Sequence, residues 1–212
     1  MPRITGVRER RGRAKVFVEG EFWAEIDAGV AVERGLYEGA VPTDGELEEA
    51  RVAGERALAM SRALNLLGYR ARSEAEIRNR LWQREFGDET IDAVLERLRE
   101  LGYVDDEEFA RDLVRQRARR YGPRRISADL RKGGVDPETA DRAVREEFDE
   151  RSELEDALSA AERRYNERGS DAQARRVHGF LTRRGYSAEV CAEVARKYRD
   201  SDPPEAGAGA EK

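Results

Sequence analysis

The sequence predicts a mainly α-helical protein in which three tandem three-helix repeat modules follow a small N-terminal β-hairpin or meander. Three observations support this fold class. Apolar residues recur at helical spacing from about residue 43 onward, and helix-start residues precede these runs. One apolar spacing also occurs three times along the chain. Repetition of this kind indicates an elongated, right- or left-curved array of stacked units.

The N-terminal segment, residues 1–42, is predicted to be β-like. Apolar and other residues alternate from Ala14 to Val18, and a second apolar run follows Gly20. Alternation with a period of two is typical of a strand with one buried face. Arg11–Gly12 offers an earlier turn, so we expect two or three strands. So few strands are marginal alone and should pack on the helix that follows.

The three modules share one order of elements: a longer helix, a short helix and a third helix. The longer helices are expected near residues 44–68, 106–121 and 153–168, and the short ones near 74–83, 123–132 and 171–184. The third helices have start signals at Asp88, Asp136–Pro137 and Ser187. The predicted repeats therefore span residues 43–104, 105–152 and 153–199. Residues 200–212 are rich in Pro, Gly and Ala and are predicted to be a disordered tail.

Capping residues mark several helix starts. Thr43 with Glu46, and Ser73 with Glu76, have the spacing of a capping box. Asp105 is expected to be an N-cap in the same way. We interpret the acidic pair that it forms with Asp106 as this cap, because no further acid or histidine completes a metal or acid/base site.

The repeat itself is an apolar spacing of +4, +5, +5 and +3 residues, with offsets of 49 and 51 residues between copies. The three sets are Ile77, Leu81, Phe86, Ile91 and Val94; Ile126, Leu130, Val135, Ala140 and Ala143; and Val177, Leu181, Tyr186, Cys191 and Val194. Cys191 therefore takes the place of Ile91 and Ala140 and is predicted to be a buried apolar residue. His178 follows a core position and is predicted to lie on the surface.

Composition excludes several classes of function. The net charge of −5 provides no general attraction to nucleic acid, so any such contact must be local. One cysteine and one histidine leave no internal disulfide and no Cys/His metal cluster. No apolar run is long enough to span a membrane, and the stretch MPRITGVRERRG lacks the apolar core expected of a signal peptide. We expect a cytoplasmic monomer without a cofactor. An enzyme is the least favoured class, because no P-loop, dinucleotide-binding turn or nucleophile–His pair occurs.

The candidate partner-binding residues are basic and surround the stretch RRYGPRRISADLRKGGV, residues 119–135. They are Arg111, Arg115, Arg119, Arg120, Arg124, Arg125, Arg131 and Lys132. Arg111, Arg115 and Arg119 lie opposite the apolar face of their helix, whereas Arg117 falls on the apolar side and must extend to solvent or pair. An acidic block, residues 133–162, and another basic block, residues 163–184, follow. The alternative is a solvated surface on which these blocks pair internally.

Three strings carry a family resemblance. ALNLLGYRARSEAEIRNRL, LGYVDDEEFARDLVRQR and YGPRRISADLRKGGV resemble the bacterial RecX regulators of RecA recombinase. The match is strongest over residues 55–148, while the third module fits more loosely and residues 1–28 and the tail lie outside the pattern. The matching residues are Arg70, Ser73, Glu76, Leu81, Gly102, Tyr103, Asp105, Asp106, Phe109, Ala110, Arg117, Gly122, Ile126, Leu130 and Gly134.

The resemblance implies a non-enzymatic modulator that acts in homologous recombination, DNA repair and the SOS response. The usual role in the family is that of an inhibitor. Such proteins lie in the groove of the RecA–single-stranded DNA filament and limit its extension, ATPase, strand exchange and SOS co-protease activity. The eight basic residues are then expected to contact acidic filament surface or DNA phosphates. Two alternatives stay open: a protein that binds DNA directly through its basic faces, and a helical adaptor for an unrelated protein.

Overall fold

The computed structural model describes residues 1–149, 152–166 and 168–200. The chain divides into two compact units, Met1–Asp105 and Asp106–Lys212, which are described separately. The predicted disordered tail lies outside the described residues except for Asp200, which ends the last helix.

The first unit begins with a three-stranded antiparallel sheet in the order β1–β2–β3, as the predicted meander requires. The strands are β1 Ile4–Arg10, β2 Arg13–Val18 and β3 Glu21–Asp27. Arg11–Gly12 and Glu19–Gly20 connect them, and all four residues have positive φ. Two-residue turns with positive φ match the twist of the paired strands. One face of the sheet is closed by the following helices, and Ile26 packs directly against Gly54.

Helix α1, Ala28–Glu33, lies within the segment predicted to be β-like and was missed by the sequence analysis. The Asp27 carboxylate accepts hydrogen bonds from the backbone N–H groups of Gly29 and Val30, at 2.9 and 3.2 Å. Six residues rich in valine are too few to show a helical period, so the Asp27 cap was the only local signal.

The first module consists of α2 Asp44–Leu67, α3 Glu74–Trp82 and α4 Asp88–Glu100. The Thr43–Glu46 capping box is present. At α3, Ser73 Oγ accepts from Glu76 N at 3.2 Å, and the Glu76 carboxylate hydrogen-bonds to the Ser73 backbone in return. The cap predicted at Asp88 is wrong: Gly87 is the N-cap, and Asp88 is the first helical residue, where a negative charge favours the helix dipole.

The second unit contains six described helices. They are α5 Asp106–Arg117, α6 Pro123–Lys132, α7 Pro137–Asp149, α8 Glu153–Glu162, α9 Asp171–Arg184 and α10 Ala188–Asp200. Helix α5 ends at Arg117, four residues before the predicted bound, and Pro123 opens α6 after an extended Gly122. Helix α8 ends at Glu162, six residues before the predicted bound at residue 168. The predicted helix also contains Glu167, which lies outside the described residues.

The repeated spacing forms the core of each module. Fourteen of its fifteen residues are buried, and Phe86 is half-buried. Cys191 is fully buried and His178 is exposed, as predicted. The copies also share a backbone feature, because Glu85, Gly134 and Gly185 occupy one repeat position and all have positive φ, at 64°, 82° and 85°. The three modules therefore repeat in backbone conformation as well as in core positions.

Candidate partner-binding surface

The predicted basic residues on α5 are exposed and loosely paired. Arg111 contacts Glu107 at 3.7 Å, and Arg115 contacts Asp112 one turn away. Exposed pairs of this kind contribute about 0–1 kcal/mol, so both guanidinium groups can exchange partners readily. Arg117 pairs with Asp129 on α6, as its position on the apolar side requires.

The basic residues on α6 divide into engaged and free side chains. Arg131 donates to both Asp141 carboxylate oxygens at 2.7 Å, and this contact, with a hydrogen bond from Ser127, lowers the pKa of Asp141. Arg125 lies over the Tyr121 ring at 5.2 Å. Arg124 and Lys132 are exposed, and within the described ranges no carboxylate lies within 4.0 Å of them.

Arg119 and Arg120 lie in the turn after α5 and help to line a cleft of about 550 Å³, which we name the arginine cleft. The other arginines come from the ends of two helices of the third module. The lining residues are Arg119, Arg120, Tyr121, Ala160, Arg163, Arg164, Phe180 and Arg184. Segments far apart in sequence thus bring five guanidinium groups to one place.

The five arginines of the cleft lack counterions: among the residues that the structure describes, no carboxylate lines the cleft or lies within ion-pair distance of them. Their polar contacts are neutral, since Arg163 Nη1 donates to Ser159 Oγ at 2.8 Å and Arg184 Nη1 donates to the Arg120 carbonyl at 2.9 Å. By contrast, Arg70 and Arg142, which lie outside the cleft, contact carboxylates at 2.7 Å. The cleft is therefore a concentrated positive field in an acidic chain.

Backbone hydrogen bonds hold the cleft together. Gly122 N donates to the Arg184 carbonyl at 2.8 Å, and Arg124 N donates to the Gly185 carbonyl at 3.1 Å. Arg163, Arg164 and Arg184 belong to the basic block at residues 163–184 and are not among the predicted partner-binding residues. Their charge was visible in the sequence, whereas their meeting with Arg119 and Arg120 depends on packing between modules.

A second, shallower groove lies between α6 and α7 and has a volume of about 680 Å³. Arg124, Arg131 and Arg145 line it together with Asp141. Asp141 already neutralises Arg131. This groove therefore combines a carboxylate with its arginines, whereas no carboxylate among the described residues lines the arginine cleft.

Other kinds of site are not found within the described part of the chain. There, no group of three or more His, Cys, Asp or Glu side chains is arranged to hold a metal ion. None of the helices described has the length and apolar character needed to cross a bilayer.

Comparison with known proteins identifies relatives across most of the chain. Residues 59–98 match the first three-helix domain of RecX, and residues 105–144 match the second. The regulatory protein RecX of Mycolicibacterium vanbaalenii is 38% identical over 159 residues, which cover 70% of this chain and 85% of the relative. That of Corynebacterium efficiens is 35% identical over 167 residues, 74% of this chain and 77% of the relative.

Solved structures show the same fold. A crystal structure of regulatory protein RecX aligns with a TM-score of 0.64 at 24% identity, covering 92% of this chain and 100% of the solved chain. The RecX crystal structure from Lactobacillus salivarius aligns with a TM-score of 0.60 over 69% of this chain.

Proposed function

Because this chain belongs to the RecX family of regulatory proteins, we propose that it is a non-enzymatic modulator of RecA recombinase. In this proposal the chain is a cytoplasmic monomer that binds the RecA–single-stranded DNA filament. It inhibits the filament by limiting extension, and so reduces ATPase, strand exchange and SOS co-protease activity.

One observation supports the proposal most directly: arginines without counterions on a chain whose net charge is −5. A protein that only needed solubility would gain nothing from leaving these cations unpaired beside an excess of acids. Exposed cations such as Arg119 and Arg124 suit a polyanionic partner, either the DNA phosphates or acidic protein surface in a filament. Repeated modules add many weak contacts, which gain strength by avidity when the partner is itself a repeating polymer.

The test is a titration of the chain into cognate RecA on single-stranded DNA while ATP hydrolysis is followed. We expect hydrolysis to fall at concentrations well below those that bind naked DNA. Reversal of Arg115, Arg119 and Arg124 to Glu should abolish this inhibition with helicity unchanged. If the unaltered chain does not change ATP hydrolysis, the proposed function is contradicted, and a helical adaptor becomes the interpretation.

A matched control separates the surface from total charge. Arg175, Arg176 and Arg196 are also exposed arginines of the second unit and lie outside the arginine cleft. Their reversal to Glu changes the net charge equally and should leave inhibition intact. If the variant with Arg115, Arg119 and Arg124 reversed to Glu inhibits as strongly as the unaltered chain, the contact with the filament lies elsewhere on the molecule.

Direct DNA binding is the second candidate, and the arginine cleft is the observation that favours it. Naked-DNA binding measured in the same buffer distinguishes the two functions. If hydrolysis falls only where the chain coats the DNA, with steep dependence on salt, direct binding is the activity.

A further inference from the structure

We propose that the arginine cleft is a binding site for a chain of linked phosphate groups, which it recognises without contacts to a base. The cleft lies between the second and third modules, with Arg119 and Arg120 on one side and Arg163, Arg164 and Arg184 on the other. This inference rests on the second candidate function, direct DNA binding, and deepens it by naming the chemical group that the cleft recognises; it requires no recombinase.

Charge specifies the class of ligand. A guanidinium group presents a rigid fork of donors that matches phosphate oxygens, often with two hydrogen bonds at once. A single phosphate group carries about two negative charges, too few to neutralise five arginines. Linked phosphates supply more negative charge along a line, and arginines from three chain segments can contact them together.

The size of the cleft agrees with this ligand. Its volume of about 550 Å³ lies within the range of roughly 300–1,000 Å³ that is usual for ligand sites. Buried Ala160 and Phe180 form part of the lining, while the guanidinium groups of Arg119, Arg120, Arg163 and Arg164 are on exposed residues. A ligand can therefore enter without any rearrangement of the core.

The aromatic rings of the cleft are not available for stacking on bases. Phe180 is only 8% exposed, with Arg184 over its ring at 4.5 Å and Arg164 at 5.8 Å. Arg125 occupies one face of the half-buried Tyr121 ring, at 5.2 Å from the ring centre. Proteins that hold single-stranded bases use open aromatic faces, so recognition in this cleft falls on the phosphates.

The place of the cleft between two modules predicts that its ligand stabilises the chain. The ligand would contact the turn after α5 and the ends of α8 and α9, and so would join two modules. A ligand that binds only the folded junction stabilises it by mass action. Binding should therefore raise the thermal unfolding midpoint of the chain, and above the dissociation constant the rise should follow the logarithm of the ligand concentration.

The experiment uses the full chain alone at low ionic strength with three probes: inorganic tripolyphosphate, ATP and the oligonucleotide dT15. Calorimetry gives the affinity, and thermal unfolding gives the stabilisation. The test variant replaces Arg119, Arg120 and Arg163 with Gln, and the control replaces Arg175, Arg176 and Arg196 with Gln. Both lose three positive charges from exposed positions of the same unit.

We expect saturable binding of tripolyphosphate, weakened at least tenfold in the test variant and less than threefold in the control. The salt dependence of dT15 binding should fall by about two units of log–log slope in the test variant, since each phosphate contact on a single strand contributes about 0.7. Should the triple variant unfold, Arg119→Gln with Arg120→Gln is the substitute, because neither side chain has a hydrogen bond among the described residues.

The probes also distinguish the source of the phosphates. Equal binding of tripolyphosphate and ATP assigns the site to a polyphosphate chain, and binding of dT15 alone assigns it to a phosphodiester backbone. Equal weakening in test and control variants, or no saturable binding of tripolyphosphate or dT15, overturns the proposal. Because no RecA is present, either result is independent of the proposed modulation of RecA, and dT15 binding that weakens equally in both variants leaves direct DNA binding in place without this cleft.

Discussion

Gly122 and Gly185 meet so closely that a methyl group on Gly122 would lie 2.6 Å from the Gly185 carbonyl oxygen. Gly122 is the N-cap of α6 and Gly185 the C-cap of α9, so the contact joins the second module to the third. The adjacent backbone hydrogen bonds, Gly122 N to the Arg184 carbonyl and Arg124 N to the Gly185 carbonyl, need this approach. Two glycines thereby position the arginine cleft.

Gly122→Ala should therefore weaken the module junction. The added Cβ forces the two backbones apart, and overpacking of this kind costs about 1–3 kcal/mol. Gly87→Ala is the matched control, because Gly87 is also an N-cap glycine with an ordinary φ, and its Cβ would meet only Glu55 Oε1, at 4.0 Å. Urea unfolding should show a larger loss of unfolding free energy for Gly122→Ala than for Gly87→Ala. Equal losses would mean that the contact between Gly122 and Gly185 contributes nothing to stability.

The repeated core could be predicted from sequence because burial imposes the same apolar spacing on every copy, from Ile77 to Val194. Most helix starts were visible for a similar reason, since caps such as Thr43 act within three residues. The arginine cleft could not be predicted, because Arg119 and Arg184 are brought together by backbone packing that leaves no local pattern. Helix α1 was missed because it is shorter than two helical turns.

Glu85→Gly should stabilise the first unit. Glu85 has a φ of 64°, whereas the equivalent positions in the other modules are Gly134 and Gly185. A left-handed conformation costs a non-glycine residue roughly 1–2 kcal/mol, and the greater chain entropy of glycine offsets part of that gain. We expect a net gain of about 0.5–1 kcal/mol in urea unfolding. Arg84→Gly, which relieves no positive φ, should instead lose stability; a gain there would contradict this explanation.

Arg117→Met should destabilise the second module by about 1–2 kcal/mol. This estimate lies between the values for exposed and buried ion pairs. The Arg117 and Asp129 side chains are 38% and 22% exposed, and removal of the arginine leaves Asp129 with Arg125, at 3.6 Å, as its one ion-pair partner among the described residues. Arg115→Met breaks the exposed pair with Asp112 and should cost less than about 0.5 kcal/mol. Urea unfolding of both variants checks the difference, and equal losses of unfolding free energy would mean that burial of the pair does not matter.

Glu76 should make stability depend on pH in the acid range. Burial raises the pKa of Glu76, but the hydrogen bonds and charge of Arg70, with the Ser73 backbone, outweigh it and hold the pKa below its ordinary value. A carboxyl group whose pKa is lowered by folding contributes stability that is fully present at a pH above its unfolded-state pKa, about 4.3. That stability is lost as the pH falls through the folded-state pKa.

Glu76→Gln should therefore lower the thermal midpoint at pH 7 and approach the unaltered chain near pH 3. Thermal unfolding from pH 7 to pH 3 measures this convergence. Glu100→Gln removes an exposed partner of Arg97 and serves as the control, with little difference from the unaltered chain at either pH. A constant difference between Glu76→Gln and the unaltered chain across this range would assign its effect to packing.

Cys191 should be inert while the second unit is folded. Its side chain is fully buried in the third module, its Sγ lies 3.7 Å from the Tyr186 carbonyl oxygen, and burial raises the pKa of the thiol. Because the thiolate is the reactive form, both the raised pKa and the lack of access slow its chemistry. The chain has one cysteine, so modification by an aromatic disulfide reagent reports this site alone.

We expect negligible modification at pH 8 in native buffer and stoichiometric modification in urea. The native rate should follow opening of the module, so Gly122→Ala should accelerate modification and Gly87→Ala should not. Cys191→Ser should destabilise the chain by about 1–3 kcal/mol, because it places a hydroxyl in an apolar site. Rapid modification of the native thiol would instead mean that the third module opens without loss of the remaining structure.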